Sequence, residues 1–126
     1  EICPILDARR DQVYCARFRF SSGRLPERLS EDGALSLQDF LAGLPQQGRF
    51  LFTGDGVSAH AAAIERALGE RALIAKPHLS GLKADAACYL AETSPARRMP
   101  GERLEPIYLR KPQAERERAA RRGETP

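Results

Sequence analysis

No part of the 126-residue sequence contains the run of about 20 apolar residues that a membrane-spanning helix requires. Cysteine is also scarce, because the chain has only Cys3, Cys15 and Cys88. An odd number of widely spaced cysteines is unlike a disulfide framework, so we expect free thiols and a cytoplasmic protein, although a Cys3–Cys15 bridge across paired strands stays open. The composition therefore predicts no membrane contact and no disulfide-stapled fold.

The patterns that catalytic chemistry needs are also missing. His60 and His78 have no histidine, cysteine or carboxylate three or four residues away, so their spacing predicts no metal site. No cysteine has a histidine nearby in sequence that would act as its base. No glycine-rich loop ends in the Lys-Ser or Lys-Thr pair of a P-loop. We therefore expect no catalytic residues, no bound metal and no cofactor.

The surplus positive charge lies in the C-terminal tail. The whole sequence has a net charge of +3, yet residues 1–109 contain 14 basic and 14 acidic side chains. The surplus therefore falls after Leu109, where six basic side chains oppose three acidic ones. A neutral body lacks the electrostatic footprint of a nucleic-acid-binding domain, so only the tail is a candidate for contact with RNA.

What the sequence does contain is a regular succession of strand and helix patterns. The predicted strand Gln12–Phe20 alternates apolar and polar positions. The segment after Ser36 has apolar residues at helical spacing, and Ser36 itself is a favourable N-cap. The predicted elements are strands Ile2–Asp7, Gln12–Phe20 and Leu25–Ser30, a helix after Ser36, strand Arg49–Thr53, a helix ended by Gly69, strand Ala72–Ala75, and a helix between Ser80 and Pro95.

This order, β-β-β-α-β-α-β-α, predicts an α/β fold of the ribonuclease-H-like class, with a mixed sheet of about five strands. We expect this lobe to occupy residues 1–95. Residues 96–126 would form a linker, a docked extended segment at 105–110 and the basic tail. Because Glu1 leads directly into a core strand, we expect the second lobe of a two-lobed protein whose first lobe is absent.

The predicted core combines one face of each strand with the apolar stripes of the helices. It consists of Leu6, Tyr14, Phe18, Phe20, Phe40, Leu51, Ile64, Leu68, Ile74 and Leu90.

One candidate binding site lies between the fourth strand and its helix. Gly54 and Gly56 flank Asp55 at the start of that helix, where glycines let backbone approach a phosphate. Asp55 would repel an anion, however, and a tight strand-to-helix turn explains the same residues. Two interpretations of Gly54 and Gly56 therefore stay open. They form either a degenerate phosphate-binding turn or a purely structural turn.

A second candidate follows the first strand. Asp7 ends this strand, where a carboxylate either holds a metal or catalytic water or caps the adjacent turn. Arg9 and Arg10 come next and are either a solvated turn or an anion site.

The segments ILDARRDQVYCARF and EPIYLRKP, at residues 5–18 and 105–112, resemble motifs of the second, C-terminal lobe of the bacterial TsaB (YeaZ) family. That family shows a similar strand pair, a G-x-G turn in mid-lobe and an E-P-x-Y-L-R segment near its end. The resemblance extends over most of residues 2–112. It implies the actin-like ATPase fold and the older description "glycoprotease-like".

The resemblance also implies a function. TsaB-like proteins are noncatalytic partners of TsaD in forming threonylcarbamoyladenosine at position 37 of tRNA, and TsaE, an ATPase, joins the complex. We therefore expect TsaD-like and TsaE-like partners, contact with tRNA through the complex, and a homodimer as a further option.

Two other functions stay open. One is an enzyme of the same superfamily, such as a TsaD-like carbamoyl transferase, a kinase or a glycoprotease-like hydrolase. The other is an RNA-binding module that acts through the tail, although Tyr108 is the only aromatic residue near it for stacking on bases.

Overall fold

A computed structural model describes residues 1–21, 25–93, 99–103, 105–109 and 121. Its strands are β1 Ile2–Asp7, β2 Gln12–Cys15, β3 Phe18–Arg19, β4 Glu27–Arg28, β5 Gly33–Ser36, β6 Phe50–Thr53 and β7 Ala72–Ile74. Its helices are α1 Leu37–Ala42, α2 Val57–Leu68 and α3 Ala84–Thr93, with short 3-10 helices at Gly69–Arg71, Pro77–Leu79 and Gly101–Arg103. None of the described helices is long and apolar enough to cross a membrane.

All seven strands form one mixed sheet with β1 at its centre. On one side, Leu6 of β1 is opposite Tyr14 in antiparallel β2, and β2 pairs with antiparallel β5. On the other side, Cys3 is opposite Phe52 in parallel β6, which pairs in parallel with β7. The predicted antiparallel meander followed by parallel strands with helical crossovers is confirmed, with seven strands rather than about five.

The long second strand of the prediction is divided in two. It breaks between Cys15 and Phe18, so that β2 pairs with the end of β1 while β3 pairs with its first residue. The predicted third strand, Leu25–Ser30, is reduced to the two residues of β4. Sequence reasoning missed β5 altogether, because a short strand that begins with glycine carries little strand signal.

Two helix boundaries are confirmed. The Ser36 hydroxyl oxygen accepts a hydrogen bond from the Asp39 backbone N–H at 3.0 Å, so it caps α1 as its position in the sequence predicts. Gly69 ends α2 with φ +56°, a conformation that glycine adopts without steric cost.

The buried core lies on the face of the sheet that α1 and α2 cover. Fully buried side chains from β1, β2 and β6 pack there against both helices. The members of this cluster are Cys3, Ile5, Val13, Cys15, Leu37, Phe40, Leu44, Phe50, Phe52, Val57 and Ile64.

The predicted core included four strand residues that lie outside the observed core. Leu6, Tyr14, Phe18 and Leu51 are only half-buried, while the sequence neighbours of Leu6, Tyr14 and Leu51 form the core. These strands are apolar on both faces, so alternation alone does not say which face the helices cover. Phe40 and Ile64 are buried as predicted, and Leu68 and Ile74 pack partly buried against the cluster.

Two other predicted core residues are exposed. Phe20 is 57% exposed beyond the end of β3, and Leu90 is 46% exposed on α3. Within the described residues, α3 buries none of its side chains, although its apolar spacing predicted an inward face. Its periodicity marks a helix correctly but does not determine what that helix contacts.

The opposite face of the sheet borders a cavity of about 350 Å³. Leu6, Tyr14 and Phe18 line it together with Ile107 and Leu109, whereas Tyr108 is 83% exposed. This alternation agrees with a docked segment at 105–110, which stays a prediction because Ile107 is itself 80% exposed. Arg110, linker residues 94–98 and the predicted tail apart from Arg121 lie outside the described residues.

Candidate functional site

The candidate site lies at the edge of the sheet where three parallel strands end. β1, β6 and β7 run in the same direction, so their carboxyl ends and the loops that follow them meet at one edge. In open α/β sheets, ligands bind beyond this edge. Both regions that the sequence singled out, Asp7 with the two arginines and Gly54–Gly56, are located here.

Gly54 is required by its contact with β1. It has φ +107°, and a Cβ atom at this position would lie 2.1 Å from the carbonyl oxygen of Ile5. The Gly56 N–H donates a hydrogen bond to the same carbonyl at 3.2 Å, and a Cβ there would lie 3.1 Å from the backbone nitrogen of Asp7. The close approach of these two glycines is therefore to the protein's own backbone.

Asp55 completes this attachment with its side chain. Its Oδ1 accepts a hydrogen bond from the backbone N–H of Asp7 at 3.0 Å, and its carbonyl oxygen accepts one from the Ser58 hydroxyl at 3.1 Å. The carboxylate stands just before the N-terminus of α2, where negative charge is favourable. A phosphate role for Gly54 and Gly56 stays a prediction, and Asp55 already places an anionic group at this helix end.

Asp7 organises the turn that follows it. Its Oδ1 accepts a hydrogen bond from the Arg9 backbone N–H at 2.7 Å. The Ala8 N–H donates to the Gln12 carbonyl at 3.0 Å, and the Gln12 N–H donates to the Arg9 carbonyl at 3.2 Å. This is the capping role that the sequence left open beside metal binding.

The turn itself adopts an unusual conformation. Arg9, Arg10 and Asp11 have φ values of +60°, +56° and +58°, three successive non-glycine residues in the left-handed region. Each such residue costs roughly 1–2 kcal/mol relative to an ordinary conformation. Sequence reasoning missed this feature, because no glycine or asparagine marks the turn.

A cavity of about 390 Å³ lies beside the glycine turn, between α2 and the loop after β7. Val57, Ala61, Ile74 and Pro77 give it an apolar lining, and Asp55 stands at its border. Its size is at the lower end of the range for small-molecule sites. The sequence carried no signal for this cavity, because its walls come from separate elements.

The histidines and cysteines do not converge on this edge. His60 is half-buried on α2, His78 is exposed, and the described residues contain no group of three potential metal ligands. All three cysteines are free, which answers the question of a Cys3–Cys15 bridge. Burial raises the pKa of Cys3 to about 12 and that of Cys15 to about 11, so both thiols stay protonated at neutral pH.

Comparison with known proteins finds a similarity to TsaB. No family model matches it. The chain is 34% identical over 115 residues to the tRNA threonylcarbamoyladenosine biosynthesis protein TsaB of Bacillus subtilis, which covers 90% of this chain and 49% of that protein. The chain thus spans about half the length of this curated relative.

A solved structure shares the fold. It is a crystal structure described as an uncharacterized protein from Pseudomonas aeruginosa with similarity to peptidase YeaZ, with a TM-score of 0.64 and 21% sequence identity. The match covers 86% of this chain and 49% of that one. Over the length that it spans, the chain is therefore similar to TsaB, and it has the fold of a ribonuclease-H-like lobe.

Proposed function

We propose that the chain is a noncatalytic scaffold or activator lobe in the synthesis of threonylcarbamoyladenosine in tRNA. The observation that carries this proposal is the 34% identity to a protein named for that pathway, over 90% of the chain. The proposed partners are a TsaD-like protein, which performs the chemistry, and a TsaE-like ATPase. Contact with tRNA would occur through this complex, in the cytoplasm.

The candidate site supports a role without catalysis. At the strand edge where related folds hold nucleotide phosphates, the Gly56 N–H is bonded to the Ile5 carbonyl and the Asp55 carboxylate stands near the helix N-terminus. A phosphate at this position would meet a negative charge at close range. The carboxylates of Asp7 and Asp55 both accept backbone N–H groups, so each has a structural use.

Reconstitution with purified components tests the proposal. The chain, a TsaD-like protein, a TsaE-like protein, ATP and unmodified tRNA are combined with the precursors of the threonylcarbamoyl group, and the modified nucleoside is measured by mass spectrometry. We expect the chain to increase product formation by its partners and to hydrolyse neither ATP nor peptides alone.

Matched variants separate a scaffold from an enzyme. Asp7→Asn and Asp55→Asn keep the size and one acceptor oxygen of each side chain while removing its charge. A scaffold predicts unchanged product formation by folded variants. Intrinsic turnover by the chain alone that Asp7→Asn or Asp55→Asn abolishes would instead identify an enzyme of the superfamily.

A further inference from the structure

We propose that the turn Arg9–Asp11, called here the arginine turn, is a contact surface for a protein partner that presents carboxylates to Arg9 and Arg10. The inference rests on the proposed function for the choice of partner. Its evidence is separate and comes from the conformation, the rigidity and the charge of the turn.

The first observation is that the turn uses residues poorly suited to its backbone. Arg9, Arg10 and Asp11 are all left-handed, a conformation that glycine adopts freely and that asparagine and aspartate tolerate, but that arginine rarely adopts. Backbone strain of this kind persists where surrounding contacts enforce it, and it concentrates at functional sites. Folding the turn does not require arginine, which leaves both side chains available for a contact outside the fold.

The second observation is that the turn is held rigidly. Ala8 is 6% exposed, and three hydrogen bonds within Asp7–Gln12, of 2.7, 3.0 and 3.2 Å, fix the backbone from which the two arginine side chains project. A group whose backbone is already ordered loses less conformational entropy when it binds. The arginine turn is therefore preorganised for contact.

The third observation concerns the guanidinium groups themselves. Arg17 and Arg19 both bind the Glu1 carboxylate at 2.9 Å, and Arg28 binds a neighbouring aspartate. Arg9 and Arg10 are exposed and make no such side-chain contact with any residue that the structure describes. A guanidinium binds a carboxylate through two parallel hydrogen bonds, and arginine is enriched at protein interfaces.

The local charge favours a protein over RNA as the partner. The two arginines stand beside three carboxylates, those of Asp7, Asp11 and Asp55, so this edge carries no positive surplus. Binding to a phosphate backbone depends on such a surplus. A protein surface of mixed charge can pair its carboxylates with the arginines and a basic group with Asp11, which gives specificity.

The test measures the affinity of the immobilised chain for the purified TsaD-like and TsaE-like proteins, with unmodified tRNA as a third analyte. The variant is the double substitution Arg9→Gln/Arg10→Gln, which removes the charge of both side chains. Arg66→Gln is the matched control, since Arg66 is an exposed arginine in the last turn of α2, away from this edge.

We expect the double glutamine variant to raise the Kd for at least one of the two proteins about tenfold or more, a loss common for central interface arginines. Arg66→Gln should change it less than about twofold, within the range of peripheral substitutions. An unchanged Kd for both proteins overturns the inference and leaves the proposed function intact.

Two other outcomes also decide the question. If the double variant loses affinity for tRNA alone, the arginine turn is an RNA contact and the protein assignment is wrong. If the parent chain binds neither protein, the proposed function fails and the inference fails with it.

Discussion

The Asp55 carboxylate accepts the backbone N–H of Asp7 at 3.0 Å, which joins the ends of two neighbouring parallel strands across 48 residues of sequence. Removing this acceptor should leave the N–H of Asp7 without its protein partner. We expect Asp55→Ala to lower the free energy of unfolding by about 1 kcal/mol and Asp55→Asn, which keeps an acceptor, by less.

Urea unfolding measures this effect, with Glu65→Ala as the control. Glu65 is an exposed acid on α2, and its loss should change stability by less than about 0.5 kcal/mol. If Asp55→Ala and the parent unfold at the same urea concentration, the hydrogen bond contributes nothing to stability.

Gly54 should tolerate no side chain. Its Cβ would lie 2.1 Å from the Ile5 carbonyl oxygen, and its φ of +107° already disfavours other residues. We expect Gly54→Ala to cost about 3 kcal/mol or more, measured by chemical denaturation. Gly81→Ala is the control, because nothing lies within 4 Å of a Cβ there. Equal stability of the two variants would contradict the contact between this turn and β1.

A glycine substitution that relieves the backbone strain of the arginine turn should increase the stability of the protein. Asp11 has φ +58°, so Asp11→Gly should raise the free energy of unfolding by about 0.5–1 kcal/mol, after allowing for the greater entropy of glycine in the unfolded chain. Thermal melting is a suitable measurement. Asp39→Gly serves as contrast and should destabilise, since Asp39 lies in the first turn of α1.

The position of the core can be tested with two phenylalanines. Phe52 is fully buried against the helices, whereas Phe20 is 57% exposed. We expect Phe52→Ala to cost about 3–5 kcal/mol and Phe20→Ala less than about 1 kcal/mol. The reverse order would place the helices on the other face of the sheet.

The two buried thiols should make the protein less stable in alkali. Burial raises the pKa of Cys3 and Cys15 to about 12 and about 11 from an ordinary 9.0. Above pH 9 the unfolded chain therefore releases these protons while the folded protein keeps them. The free energy of unfolding should fall from about pH 9 to about pH 11 through Cys15 and to about pH 12 through Cys3, by at most about 1.4 kcal/mol per pH unit and thiol.

Denaturant unfolding at several pH values checks this slope. Cys3→Ala and Cys15→Ala should each flatten it, whatever their own effect on stability at pH 7. Cys88→Ser serves as the control variant, because Cys88 is exposed. If the pH dependence remains after both buried thiols are removed, other titrating groups cause it.

The elements with a complete local signal could be predicted from the sequence. Ser36 and Gly69 mark their helix ends through short-range chemistry, and both boundaries are found. The local sequence does not show whether Leu51 or Phe52 belongs to the core, because both faces of β6 are apolar. The packing of the helices determines which of the two faces is buried. Periodicity in α3 likewise predicts a helix but contains no information on its contacts.

The candidate site shows the same division. The glycines around Asp55 are visible in the sequence, but their close contact with Ile5 depends on a strand almost 50 residues away. The position of the arginine turn is visible in the sequence, but its conformation could not be predicted, since arginine has no preference for the left-handed region. It forms because Asp7 and Gln12 hold its ends in place.

The central position of β1 affects how the chain can fold while it is being synthesised. β1 leaves the ribosome before the other described strands, yet Ile2 pairs with Leu51 of β6, which in turn pairs with Leu73 of β7. Until those later strands emerge, one apolar edge of β1 has no partner, and loop closure over this distance slows its pairing. Nascent chains that stop before β7 should therefore be sensitive to proteases, and resistance should appear only after residue 75 has left the exit tunnel.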